Sequence, residues 1–191
     1  MKLILKVAID DSDYVISSSS EYTKCPYYIR WRNMITRCYC PKYVLKKPSY
    51  KDCSVCDEWL TFSNFKAWMI KQDWQGKHLD KDILIHGNKV YSPETCIFVT
   101  QEINTLLTDS AKSRGNYPQG VTFHDNGKYR SRCSVSGKPK HLGYFDTPEQ
   151  ASDVYKKFKS KLVHKTALKQ CEPLRSALIR IANKLLSKED K

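Results

Sequence analysis

Acidic residues are scarce where the basic ones are dense. Residues 111–191 hold 7 of the chain's 20 Asp+Glu but 18 of its 33 Lys+Arg. That stretch carries +11 of the net +13, and residues 1–110 carry +2. So many cations without counter-charges point to a polyanion as partner, with a merely solvated basic surface as the other reading. Long apolar runs are also missing. The opening MKLILKVAID is broken by charge and too short for a signal peptide or a membrane span, and it reads as a short strand. No membrane partner is expected. Cys53 and Cys56 form a Cys-x-x-Cys, but no second one exists among the 8 cysteines. Zinc would need Cys25, Cys38, Cys40 or Cys96 to complete a site through the fold. Packed or surface thiols, kept reduced in a cytosol, are the alternative.

With 191 residues the chain is long enough for one domain with a tail or for two small ones. In YYIRWRNMITRCY, Trp31, Met34, Ile35 and Cys38 share a helical stripe. A Pro/Lys/Tyr loop over 40–52 follows. Thr61 is a candidate cap for a helix whose Phe62, Phe65, Trp68 and Met69 share a face, as core or, less simply, as a stacking platform. HLDKDILI reads as a strand, IHGNKVYSPET as a loop and CIFV as a second strand. Thr100 then caps a helix with Ile103, Leu106 and Leu107 turned inward. The basic stretch 108–119 lacks apolar periodicity and is expected to link two domains.

Beyond it the spacing predicts strands at 120–123, 128–135 and 141–145, with an Asn-Gly turn after the first. Thr147, Pro148 and Gln150 form a capping box. Ala151, Val154, Tyr155, Phe158 and Leu162 recur at helical spacing. One helix then covers one face of a three-stranded antiparallel sheet. Period two puts Lys128, Arg130 and Arg132 together on the other face, with Lys138, Lys140 and His141 on or near the adjacent strand. Arginine can donate two parallel hydrogen bonds to guanine, and a small sheet fits the major groove. Lys112 and Arg114 are expected to touch phosphates. A last helix with Leu174, Ala177, Leu178, Ile181 and Leu185 on one stripe either docks on this domain or pairs with a second copy as a homodimer.

The segment GVTFHDNGKYRSRCSVSGKPKHLGYFDTPEQASDVYKKF resembles the AP2/ERF DNA-binding domain, through Gly120, Val121, Tyr129, Leu142, Gly143, Phe145, Thr147, Ala151 and Tyr155. The resemblance implies groove contact by Thr122, Lys128, Arg130, Arg132, Lys140 and His141, the last standing where that family usually has Trp.

A ββα element can build a one-metal nuclease site from a general-base His, an orienting loop Asn and a helix residue at the metal. LDKDILIHGNKVYSPETCIFVTQEIN resembles the HNH endonuclease motif of phage proteins, and WRNMITRCY and VCDEW resemble their upstream portion. The resemblance implies catalytic roles for Asp80, Lys81, Asp82, Asn88 and Asn104. Lys81, however, occupies the general-base position. A protonated lysine neither takes up a proton nor binds a metal. Asp80 and Asp82 alternate as a strand would place them, which suits Mg²⁺ with Asn104, and His78 or His86 are substitute bases. The other reading of these side chains is plain solvation.

The expected fold is therefore α+β. An HNH-like ββα (His-Me finger) module spans residues 1–107, and 108–119 is a linker. An AP2-like sheet packed on a helix spans 120–165, and a final helix spans 166–191. The leading functional expectation is a phage double-stranded-DNA-binding protein on a homing-endonuclease-like scaffold with a degenerate site, in the cytoplasm of an infected bacterial host. The alternatives are an active Mg²⁺-dependent endonuclease, and a protein that binds and blocks a host DNA-acting protein.

Overall fold

The computed structural model describes residues 2–12, 25–108 and 116–187. The chain divides into two compact units, Met1–Val99 and Thr100–Lys191. Helix 101–107, expected to close the first domain, thus falls in the second unit.

The first unit opens with a hairpin of β1 (Lys2–Ile4) and β2 (Ala8–Asp10). Helix α1 (Pro26–Tyr39) starts on a proline whose missing N–H costs nothing at that position. It buries Trp31, Met34 and Ile35, leaving Cys38 half-buried. The 40–52 stretch, expected as a loop, contains helix α2 (Pro41–Lys46) and a 3-10 turn at Pro48–Tyr50. Each again begins on a proline, the helix-start signal that the loop reading passed over. After β3 (Ser54–Val55) comes α3 (Phe62–Ile70), packed on α1.

Thr61 stands at the N-cap of α3 but its side chain caps nothing. The Asp11 carboxylate instead accepts from the Ser63 N–H at 3.0 Å. Phe62, Phe65 and Met69 enter the core beside Trp31, Trp59 and Phe98. The aromatics of α3 are therefore mainly core, although Trp68 stays half-buried, its ring 4.5 Å from Trp59 and 5.7 Å from Phe98. The buried Trp31 Nε1–H donates to the Trp59 carbonyl at 2.7 Å. Truncating such a tryptophan to alanine removes about 3–5 kcal/mol.

Three short strands complete this unit. β4 (His78–Asp80) and β6 (Ile97–Val99) pair antiparallel, and β5 (Val90–Tyr91) pairs parallel with β3. HLDKDILI is thus a strand only in its first three residues.

The second unit begins with α4 (Gln101–Leu107), capped by the Thr100 hydroxyl, which accepts from the Ile103 N–H at 3.4 Å. Strands β7 (Val121–Phe123), β8 (Tyr129–Val135) and β9 (Lys138–Phe145) form one antiparallel sheet in that order. Ser136 and Gly137 link β8 to β9 with φ of 48° and 78°. Both residues lie in the left-handed region that a tight hairpin demands. Helix α5 (Pro148–Ala167) packs against all three strands and starts as expected, Thr147 Oγ1 accepting from the Gln150 N–H at 3.3 Å. Its opposite side receives α6 (Leu174–Lys184), whose Leu174, Ala177, Leu178 and Ala182 are buried. The Ser160 hydroxyl donates to the Ala182 carbonyl at 2.8 Å across that contact. Of the apolar stripe that suggested a homodimer, Leu174, Ala177 and Leu178 are buried within the unit, and Ile181 and Leu185 are half-buried.

The helix–sheet contact is tightest at Gly120. Its φ is +78°, and a Cβ there would strike the Tyr155 ring and lie 2.7 Å from the Arg132 carbonyl oxygen. Gly120→Ala should cost about 2–4 kcal/mol, combining left-handed strain with overpacking. Urea unfolding followed by far-UV circular dichroism checks this; an unchanged midpoint would mean that the sheet does not sit so close to α5.

Candidate functional site

Register decides which side chains share a face of the β7–β8–β9 sheet. Ser131 and Cys133 are buried, and Val121, paired with Ser131, is buried with them. That is the face under α5. Alternation puts Arg130 and Arg132 on the opposite, uncovered face. Thr122 and Tyr144 lie directly across from Arg130 on either side, so a Thr122–Arg130–Tyr144 row crosses all three strands. A bulge interrupts the next rows, because Ser131 pairs with Gly143 but Arg132 pairs with His141. The extra residue, Leu142, inverts the facing of every β9 residue before it.

His141 is thereby brought beside Arg132. Lys140 is not: it pairs with Cys133 on the helix side, and its ammonium sits 4.9 Å from the centre of the Phe158 ring. The expectation that Lys140 joins the arginine face is corrected by this bulge. Lys128 precedes β8 and is engaged with the Asp146 carboxylate at 3.1 Å, an exposed pair of small energetic weight. Lys112 and Arg114 lie outside the described residues.

No ion pair among the described residues holds Arg130 or Arg132. The Arg130 Nε and Thr122 Oγ1 are covered yet have no hydrogen-bond partner there. A covered polar group without a partner costs about 1–3 kcal/mol. The Arg130 guanidinium and the Thr122 hydroxyl on this face therefore have incomplete bonding among the described residues. Sequence reading passed over Tyr144 and His124. The His124 and His141 rings lie 5.1 and 4.8 Å from the Tyr144 ring. Both contacts follow from the register, which the one-dimensional pattern does not contain.

The first unit holds the other candidate residues. Asp80 ends β4, and its Oδ1 accepts from the N–H groups of Asp82 and Ile83 at 2.8 and 2.9 Å. These bonds turn the chain out of strand geometry. The expected alternation of Asp80 and Asp82 on one strand face is therefore corrected: Asp82 lies beyond the strand, and exposed. Lys81 is 5% exposed. Its ammonium donates to Asp82 Oδ1 at 2.7 Å and to the Asn88 carbonyl at 2.9 Å, and lies 5.9 Å from the Tyr91 ring centre. Asn88 closes the loop in return. Its Nδ2 donates to the carbonyls of Lys81 at 2.8 Å and Val90 at 2.6 Å, while its Oδ1 accepts from the Val90 N–H at 3.2 Å. The loop Asn thus positions residue 81 through the main chain. Asn104 lies on α4 in the other unit, half-buried, with its carbonyl accepting from the Thr108 hydroxyl at 2.8 Å. His78 and His86 are exposed.

Burial alone would lower the Lys81 pKa, but hydrogen bonding and charge from Asp82 outweigh it and raise the value above the ordinary lysine range. The direction favours the protonated ammonium at residue 81, held between Asp82 and the Asn88 carbonyl. Mg²⁺ is commonly held by one or two protein carboxylates, with water and phosphate oxygens completing its octahedron. One Asp80 oxygen is committed to two N–H groups, and Asp82 is neutralised by an ammonium in the place of a metal charge. Among the described residues no three His, Cys, Asp or Glu side chains are grouped closely enough to hold a metal ion together. Burial pushes the Cys38 and Cys96 thiols up to about 12.

Burial pushes the Asp80 carboxyl above its ordinary 3.8, against the lowering effect of the Ile83 and Asp82 N–H groups. A carboxyl raised in this way binds more protons folded than unfolded. Its contribution to stability is present below about 3.8 and is lost as the pH rises through the folded value. Asp80→Asn keeps an acceptor for both N–H groups and removes the titration. Between pH 3 and pH 7 the urea midpoint of this variant should rise relative to that of the parent protein; parallel curves would contradict the burial of this carboxyl. No family model, curated protein or solved structure matches the chain.

Proposed function

We propose that this chain is a phage double-stranded-DNA-binding protein. In this reading the uncovered face of the β7–β8–β9 sheet lies in the major groove, and the nuclease-like loop of the first unit does not cut. The observation that carries the reading is the pair Arg130 and Arg132, side by side with His141 and Thr122 on the face that α5 leaves bare, without carboxylate partners among the described residues. Guanidinium groups on a two- or three-stranded ribbon have the reach and donor geometry for guanine edges and phosphates. The +11 of residues 111–191 would add a long-range attraction to the duplex. The loss of cutting rests on Lys81, a buried ammonium where a base would be needed. Among the described residues no helix is long and apolar enough to cross a membrane. Such a protein would work in the cytoplasm of an infected bacterial host.

Two measurements test the reading. Affinity for duplex DNA should fall steeply with salt, log Kd rising linearly with log salt concentration. Arg130→Ala combined with Arg132→Ala should weaken binding about 10- to 100-fold, whereas Lys140→Ala, on the helix side, should have a much smaller effect. Equal losses would refute the assignment of the binding face. Supercoiled plasmid incubated with the protein and Mg²⁺ or Mn²⁺ should remain intact. Nicking that disappears in Asp80→Ala and Asn88→Ala would instead establish an active endonuclease.

A further inference from the structure

The uncovered sheet face is not uniformly polar. On the edge strand β9, directly across from Arg130, Tyr144 is 42% exposed. The imidazole rings of His124 and His141 abut it, inclined by 68° and 53°, so its ring is buttressed by neighbours and presents a fixed apolar surface between donors. A solvated face has no use for such a buttressed ring, and the large apolar side chains of the first unit's core lie elsewhere. In the major groove of DNA the apolar feature within reach of a side chain is the 5-methyl group of a pyrimidine.

We propose that Tyr144 is a specificity-determining residue that reads a pyrimidine 5-methyl group in duplex DNA, while Arg130 beside it contacts a neighbouring base edge or phosphate. This rests on the DNA-binding reading above and adds to it a chemical feature of the target that the arginines cannot sense. Thymine supplies that methyl in unmodified DNA, and 5-methylcytosine supplies it at the same position of the ring.

The test uses one duplex sequence of several hundred base pairs, amplified in three forms: with thymine, with uracil in its place, and with uracil plus 5-methylcytosine. Competition binding with the full chain should show the uracil duplex weaker by about three- to five-fold for each methyl contacted. Restoration by 5-methylcytosine would identify that base as a ligand of Tyr144, and failure to restore would identify thymine. Tyr144→Ser, which carries neither a ring nor a methyl group, should bind the three duplexes equally. Tyr144→Phe should keep the preference, because the ring and not the hydroxyl meets the methyl. Arg130→Ala should weaken all three forms while keeping their ratio.

A parent protein that binds thymine and uracil duplexes equally overturns the proposal and leaves DNA binding standing. So does a preference that survives in Tyr144→Ser, since the methyl would then be read elsewhere. Absence of binding to every duplex overturns the DNA-binding reading and this inference with it.

Discussion

A three-stranded sheet has two faces, and α5 can cover only one. The second unit is organised around that limit. Residues 120–145 are too few to fold back into a second layer, and α6 adds its apolar surface behind α5, away from the sheet. Tyr155, packed against Gly120, sets how near the helix approaches. The remaining sheet face stays open and has to be built from side chains that tolerate water. Arginine, histidine, threonine and tyrosine do so while still offering donors and ring surface.

The first unit obeys a different constraint. Its core is aromatic and its strands are only two or three residues long, so side-chain hydrogen bonds, and not extended ladders, hold its loops. Trp31 ties α1 to the Trp59 backbone, Asp11 starts α3, and Asp80 and Asn88 define the 80–90 turn. The buried Lys81 ammonium belongs to this scheme. It brings a charge indoors and stabilises it with Asp82, the Asn88 carbonyl and the Tyr91 ring. An ion pair so placed is sensitive to loss of either partner, because the survivor is left desolvated.

Legibility in the sequence followed the range of the interaction. Thr147 with Gln150, and Thr100 with Ile103, are caps three residues long, readable from composition and borne by the same atoms in the structure. Thr61 looked equivalent, but its helix is capped from Asp11, some fifty residues upstream. The β3–β5 pair joins residues 54–55 to 90–91 and has no local signal. HLDKDILI alternates like a strand, yet the Asp80 side chain competes for backbone N–H groups and bends the chain. At the candidate DNA-binding face, alternation along β8 placed Arg130 and Arg132 correctly as a pair. Facing along β9 was beyond reach, since the bulge at Leu142 exchanges Lys140 for His141.

Asn88 gives the first unit a further property. It grips the carbonyl oxygen of residue 81, an atom that every amino acid carries. The loop is therefore tied at a main-chain point that no side-chain substitution removes, whereas the bonds of the ammonium to Asp82 and to the Asn88 carbonyl belong to lysine alone.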